Sequence, residues 1–170
     1  PAEVDDLFGA RGLPGPQDGS ISQYVVERSW NNQGFGIIGT RSAFTTSATI
    51  SLQDFAAPLA GSVVYRVRAV NSGGESSGYA TAVPLTITAP PGRSFAVAAT
   101  ASTTTGAGPL TVNFTTTAPA GAVARWSFEE TEVVGATASH TFAALGTYLA
   151  NVRVDRIAPD GVYEYGYAEF

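Results

Sequence analysis

Tyr65-Arg66-Val67-Arg68-Ala69 sets apolar side chains at every second position and arginines between them. Residues two apart share a face in an extended strand, not in a helix. One face of this stretch can enter a core while the other meets water. Similar short runs, rich in Val, Ile, Thr, Tyr and Phe, recur along the chain and are broken by Gly, Pro, Asn and Ser. Helical periodicity is missing almost everywhere. This pattern predicts an all-β fold of the sandwich or barrel kind.

Strands are predicted at Ile21–Ser29, Phe35–Thr40, Ala48–Leu52, Val63–Val70 and Tyr79–Thr88. Asn31-Asn32-Gln33-Gly34 and Asn71-Ser72-Gly73-Gly74 read as turns between them. Ala89-Pro90-Pro91-Gly92 is the clearest boundary, because paired prolines donate no ladder hydrogen bonds and stiffen a linker. Beyond it, strands are predicted at Phe95–Ala101, Leu110–Thr116, Ala122–Phe128, Ser139–Phe142, Thr147–Asp155 and Tyr163–Phe170, with a tight turn at Asp160-Gly161. Residues 1–20 carry Pro1, Pro14 and Pro16 among several glycines and read as irregular chain or an abbreviated edge, with room for a helical turn near Glu3–Phe8. The expected organisation is therefore two tandem immunoglobulin-like β-sandwiches. Residues 1–20 lead in, 21–89 form the first unit, 90–92 the linker and 93–170 the second unit.

Composition narrows the function classes. Charged residues are only 14% of the 170, so Thr, Ser, Asn and Gln must supply most of the polar surface. The net charge of −5 argues against nucleic acid, which calls for a basic stripe, and against an anionic membrane surface. Cysteine is absent, which removes disulfides, thiolate metal sites and a cysteine nucleophile. No apolar run approaches the ~20 residues of a membrane span. With no methionine, the chain is expected to be a processed product or part of a longer polypeptide.

Tyr24-Val25-Val26-Glu27-Arg28-Ser29, followed by Leu59 to Asn71 with Tyr65 near its centre, resembles a fibronectin type III domain over about 21–88. The resemblance implies that Tyr65 is the tyrosine of a tyrosine corner, its hydroxyl pinning the backbone upstream. It also implies two earlier strands, which residues 1–20 do not supply as a convincing pair. Those strands lie before Pro1, or the edge is abbreviated, or another chain donates them. Gly108-Pro109-Leu110-Thr111-Val112-Asn113-Phe114, Trp126-Ser127-Phe128, Ser139-His140-Thr141-Phe142 and Gly146 to Val152 resemble a PKD-type domain over about 93–170. Here Glu129-Glu130-Thr131 stands where that family has a Gly-Asp-Gly turn. The two resemblances imply structural roles for Tyr65, Trp126, His140 and Tyr148.

Candidate chemistry is sparse. A serine triad would need His140, but its neighbour Ser139 points to the opposite face of a strand. Glu129 and Glu130 also point apart, unlike the paired carboxylates of a glycosidase. Asp155 and Asp160 are weak calcium candidates, lacking the repeated acidic spacing of a calcium loop. The glycines at 34, 36 and 39 are not followed by the lysine and helix of a phosphate cradle. Trp30, beside two asparagines, and Tyr163, Tyr165 and Tyr167, in one row on the last strand, are the aromatic candidates. Exposed, they would bind a protein or a sugar ring; buried, they are packing. Tyr165 is expected inside, with Trp30, Tyr163 and Tyr167 left as candidate partner-binding residues.

The sequence thus predicts a protein without catalytic residues or cofactor. It would serve structure, assembly or adhesion in an extracellular, cell-surface or virion-surface setting. Its partners would be proteins, copies of itself or neighbouring domains, with strands completed by a neighbour as one possibility. The alternative is an accessory carbohydrate- or protein-binding module of a secreted bacterial hydrolase.

Overall fold

A computed structural model describes residues 2–3, 20–43, 51–55 and 57–170. The predicted strand at Ala48–Leu52 and the helical turn near Glu3–Phe8 lie largely outside these residues. All described secondary structure is β, and no described helix is long and apolar enough to cross a membrane.

The N-terminal half contains β1 (Ala2–Glu3), β2 (Ile21–Trp30), β3 (Gly36–Ser42), β4 (Gln53–Asp54), β5 (Gly61–Asn71), β6 (Ala80–Thr81) and β7 (Leu85–Ile87). Its main sheet runs β3-β2-β5-β6, with β7 also on β5, while β1 pairs with β4 over two residues each. Tyr79–Thr88, expected as one strand, is split at residues 82–84, where Pro84 has no N–H to give a ladder. The alternation in β5 works as its pattern implies. Tyr65 and Ala69 are buried on one face, where Tyr65 packs with Val26, Ile38, Leu52 and Val63. Arg66 and Arg68 lie on the other face, where both reach the Glu27 carboxylate and the Arg66 guanidinium sits between the rings of Phe35 and Tyr79.

The C-terminal half contains β8 (Arg93–Ser94), β9 (Ala98–Ala101), β10 (Leu110–Thr117), β11 (Val123–Phe128), β12 (Thr131–Val134), β13 (Thr137–Phe142), β14 (Ala150–Ile157) and β15 (Tyr163–Glu169). One sheet runs β13-β10-β9 and the other β12-β11-β14-β15-β8. Their facing side chains form one core around Trp126, Phe114, Phe128, Val152 and Val154. Trp126 is fully buried, donates from Nε1 to the Gly135 carbonyl at 3.0 Å and packs near Phe114, Phe128 and Phe170. One expected strand is altered and one unexpected strand appears. Phe95–Ala101 is broken because β8 runs beside β15 in one sheet before the chain crosses to the other as β9. β12 follows β11 after the two-residue turn Glu129-Glu130, in a stretch with no predicted strand.

Thr147–Leu149, expected to begin the strand that is in fact β14, leaves that sheet for the N-terminal one. The Ile37 amide donates to the Thr147 carbonyl at 2.7 Å, and the Leu149 amide donates to the Ile37 carbonyl at 3.1 Å. Tyr148 joins the small cluster of Val25, Ile37 and Val70, while Leu149 packs against the cluster on the opposite face. This edge of β3 is thereby paired within the chain, which removes an edge open to aggregation. Gly36 makes the approach possible: a Cβ there would lie 2.5 Å from Leu149 Cγ. Gly36→Val is expected to open this seam while leaving the C-terminal core intact. Amide exchange should rise at Ile37 and Leu149 and stay slow at Trp126 and Val152; unchanged protection at Ile37 and Leu149 would contradict this account.

Candidate functional site

Alternation along β2 places Val26, Arg28 and Trp30 on the core face, each opposite a β5 residue: Val67, Tyr65 and Val63. Arginine is thus buried at a position the pattern gives to an apolar side chain. Arg28 is fully buried and Asp54 is 1% exposed. The guanidinium divides its fork between two carboxylates. Nη1 donates to both Asp54 oxygens at 2.9 and 3.1 Å, and Nη2 pairs with Glu169. Each carboxylate also accepts from a tyrosine hydroxyl: Tyr65 to Asp54 at 2.8 Å, Tyr167 to Glu169 at 2.7 Å. One carboxylate and one tyrosine come from each half, so the cluster is a junction between them.

The cluster sets the protonation of its members. Burial works against the Arg28 charge, but Tyr167, Asp54 and Glu169 outweigh it, and the pKa is raised. Burial, then the Asp54 charge, pushes the Tyr65 hydroxyl well above its ordinary range. Burial, aided by Glu169 and opposed by Arg28, does the same for Tyr167. Tyr65 therefore differs from the tyrosine-corner expectation: its hydroxyl goes to a side-chain carboxylate rather than to backbone, because Asp54 is held beside it by Arg28.

Glu169 belongs to a larger surface, the face of the five-stranded sheet turned away from its own core. Strand register arranges this face in four rows. Glu132, Ser127, Asn151 and Glu169 form the first. Val134, Arg125, Arg153 and Tyr167 form the second. Val123, Asp155, Tyr165 and Ser94 form the third, and Ile157 with Tyr163 the fourth. The N-terminal half covers much of the first row: Ser127 and Asn151 are buried, and Ser127 Oγ donates to the Phe55 carbonyl at 3.4 Å. Beside it, Glu130 pairs with Arg41 across the junction.

The tyrosine row therefore faces neither its own core nor open water throughout. Tyr167 meets Trp30 edge-on, with ring centroids 5.2 Å apart. Trp30, left as a candidate exposed aromatic, is half-buried, and its Nε1 donates to the Ala60 carbonyl at 2.7 Å. The exposed reading of Trp30 is corrected on that ground: the N–H is spent on backbone and the ring on Tyr167. Tyr165 is buried, as expected, and stacks with half-buried Tyr163 at 5.5 Å. Trp30, Leu59, Phe95, Tyr165 and Tyr167 border a cleft of about 190 Å³ between the halves.

The remaining candidates are held in structural contacts. His140 Nε2 lies 3.1 Å from a Glu129 oxygen, and its ring stacks on Phe128 and meets Phe142 edge-on. Ser139 points away from it, exposed, while His140 is half-buried. Glu129 thus turns to His140 and Glu130 to Arg41, so the adjacent glutamates diverge. Tyr148 donates to the Ala144 carbonyl at 3.2 Å and packs beside Phe142.

Asp155, a weak metal candidate, lies between Arg125 at 2.8 Å and Arg153 at 3.4 Å. Asp160 pairs with Arg93 at 2.9 Å and accepts from the Val162 amide at 3.2 Å; that backbone bond, then Arg93, lowers its pKa. Arginine occupies the positions a cation would take at both, and no described group of three or more His, Cys, Asp or Glu gathers to hold a metal. A second cavity, about 390 Å³, opens at one end of the C-terminal half between Leu110, Phe114, Phe142, Tyr148 and Phe170, with no charged side chain in its lining. No protein-family model matches the chain, and no curated protein does either.

Sequence reading missed Arg28, Asp54 and Glu169. The signal was present at Arg28, since alternation sets it between inward-facing Val26 and Trp30. Arg28→Met removes the only described positive charge between Asp54 and Glu169 and is expected to cost about 3–5 kcal/mol, the usual penalty for stranding a buried ionic partner. Urea denaturation would measure it, and a loss under about 1 kcal/mol would place the junction's stability elsewhere.

The tyrosines give a separate pH test. A pKa raised by folding adds stability that is complete below tyrosine's ordinary value of about 10 and is lost as pH climbs above it, because only the unfolded chain then releases the proton. The urea midpoint should fall between about pH 9 and 11, and Tyr65→Phe should lessen that fall. An equal fall in both proteins would remove Tyr65 from the account.

Proposed function

We propose that the chain is a non-catalytic structural module of an extracellular, cell-surface or virion-surface protein. In this reading a fibronectin type III-like unit and a PKD-like unit are joined into one fixed-angle body for assembly or adhesion. The observation that carries it is the Arg28 junction. A buried guanidinium shared by Asp54 of one half and Glu169 of the other resists hinge motion, because separating the halves would strand charge away from water. Main-chain pairing of Ile37 with Thr147 and Leu149 adds a second fixed point. The titratable side chains gathered at the junction and along the outer sheet face are engaged with one another, which supports a mechanical role over turnover.

The accessory-module reading rests on one specific feature, the aromatic cleft of Trp30, Tyr165 and Tyr167. Its geometry favours packing over sugar stacking. Trp30 and Tyr167 are inclined at 79°, so they do not present one flat platform. Co-sedimentation with insoluble chitin, cellulose and collagen separates the two readings. The structural reading expects the chain to stay in the supernatant with all three. Retention on any of them, abolished by Trp30→Ala, would replace it with the accessory-module reading.

A further inference from the structure

We infer that the cavity at the end of the C-terminal half is a binding site for a small uncharged ligand, about two fused aromatic rings in size, with a neutral polar group at its outer end. Such a site goes beyond the structural role proposed above. The cavity, about 390 Å³, lies between the two sheets. Its inner wall belongs to the core: Val112, Phe114, Phe142 and Ala150 are buried. One rim is the β9–β10 loop, residues 102–109, and the other is residues 143–147 after β13. Small residues dominate both, so neither loop carries a side chain that plugs the opening. Leu145 is the one large apolar residue on either rim, and it is 82% exposed.

Hydrogen bonds fix both rims. Thr103 Oγ1 donates to the Thr105 carbonyl at 2.7 Å, and the Tyr148 hydroxyl donates to the Ala144 carbonyl at 3.2 Å. The Ile37 amide holds the Thr147 carbonyl from the N-terminal half. Close-packed interiors leave few spaces larger than a water molecule. An opening of this size with fixed rims is therefore a built feature, and its volume lies in the range of small-molecule sites.

The lining sets the class of ligand. It holds no charged side chain, so a charged group entering would shed its water with no counter-charge to meet. Two ring pairs border the space: Phe114 with Phe170, centroids 5.9 Å apart, and Phe142 with Tyr148, 4.8 Å apart. Aromatic walls favour an aromatic guest, which packs by offset stacking or edge contact. An apolar cavity of about 150 Å³ takes one benzene ring, so this one takes about two with room for a polar group. A phenyl-sized side chain sent in by a protein partner would fill less than half of it. Thr104, Thr105 and Thr147 are exposed at the mouth, where their hydroxyls suit a neutral hydroxyl or carbonyl on the ligand.

An NMR amide-shift titration of the full chain with 2-naphthol, a neutral two-ring alcohol, tests the site. Saturable binding is expected, with Kd between ~10 μM and ~1 mM and the moved amides centred on residues 101–114 and 142–150. Two comparison probes, 2-naphthoate with its added charge and 1-octanol without rings, should each bind at least ~10-fold more weakly. Ala101→Phe, which fills the cavity, and Leu145→Asp, which sets a carboxylate at its mouth, should each weaken 2-naphthol by at least ~5-fold. Leu145 lies outside the core, so its variant serves even where Ala101→Phe disturbs folding. Trp30→Phe, at the cleft between the halves, should leave binding unchanged. Absence of saturable shifts, shifts centred on the Trp30 cleft, or equal affinity for the three probes would overturn the site. None of these outcomes bears on polysaccharide retention, so the site can fail while the structural reading stands.

Discussion

A single buried guanidinium sets the relation of the two halves. Arg28 sits where the alternation of β2 calls for an apolar side chain, and it is tolerable there only because counter-charges from both sides reach it. Desolvating an arginine costs several kcal/mol unless its partners are close and well directed. Asp54 comes from the short β4 of the N-terminal half and Glu169 from the end of the last strand. The fold therefore brings together groups 141 residues apart in sequence to satisfy one side chain. The placement of the N-terminal sheet on the outer face, the inclination of Trp30 against Tyr167 and the burial of Ser127 and Asn151 are all arranged around that contact.

The all-β character was legible because period-two alternation survives in the longest strands. Tyr65 and Ala69 face inward while Arg66 and Arg68 face Glu27, as spacing alone implies. The same rule separated Ser139 from His140. It gave less where a strand leaves its sheet. Thr147–Leu149 continues the extended pattern leading into β14, yet its hydrogen bonds go to Ile37, a pairing that local periodicity does not encode. β12 was missed because Glu129-Glu130 lacks a conventional glycine turn; Glu129 takes a left-handed backbone at φ 49° and is held near His140.

The candidate site was legible in its aromatics and illegible in its charges. Tyr163, Tyr165 and Tyr167 share a face because their spacing requires it, but which side of the sheet they take depends on the opposite parity, where Val152, Val154 and Ala168 enter the core. Trp30, whose asparagine neighbours made it a candidate for exposure, is turned onto Tyr167. Asp54 and Glu169 have no arginine close by in sequence, so their convergence on Arg28 is a property of tertiary structure only. Asp155 and Asp160 illustrate the converse: a carboxylate that looks available for a cation is claimed by arginines from distant strands.

That Glu169 closes the cluster has a consequence for how the polypeptide matures. During synthesis β2 and β5 leave the ribosome long before β15, and Arg28 must wait in a half-assembled sheet for a carboxylate near the far end of the chain. In folding during synthesis, the N-terminal sheet would gain this buried counter-charge only once β15 has emerged.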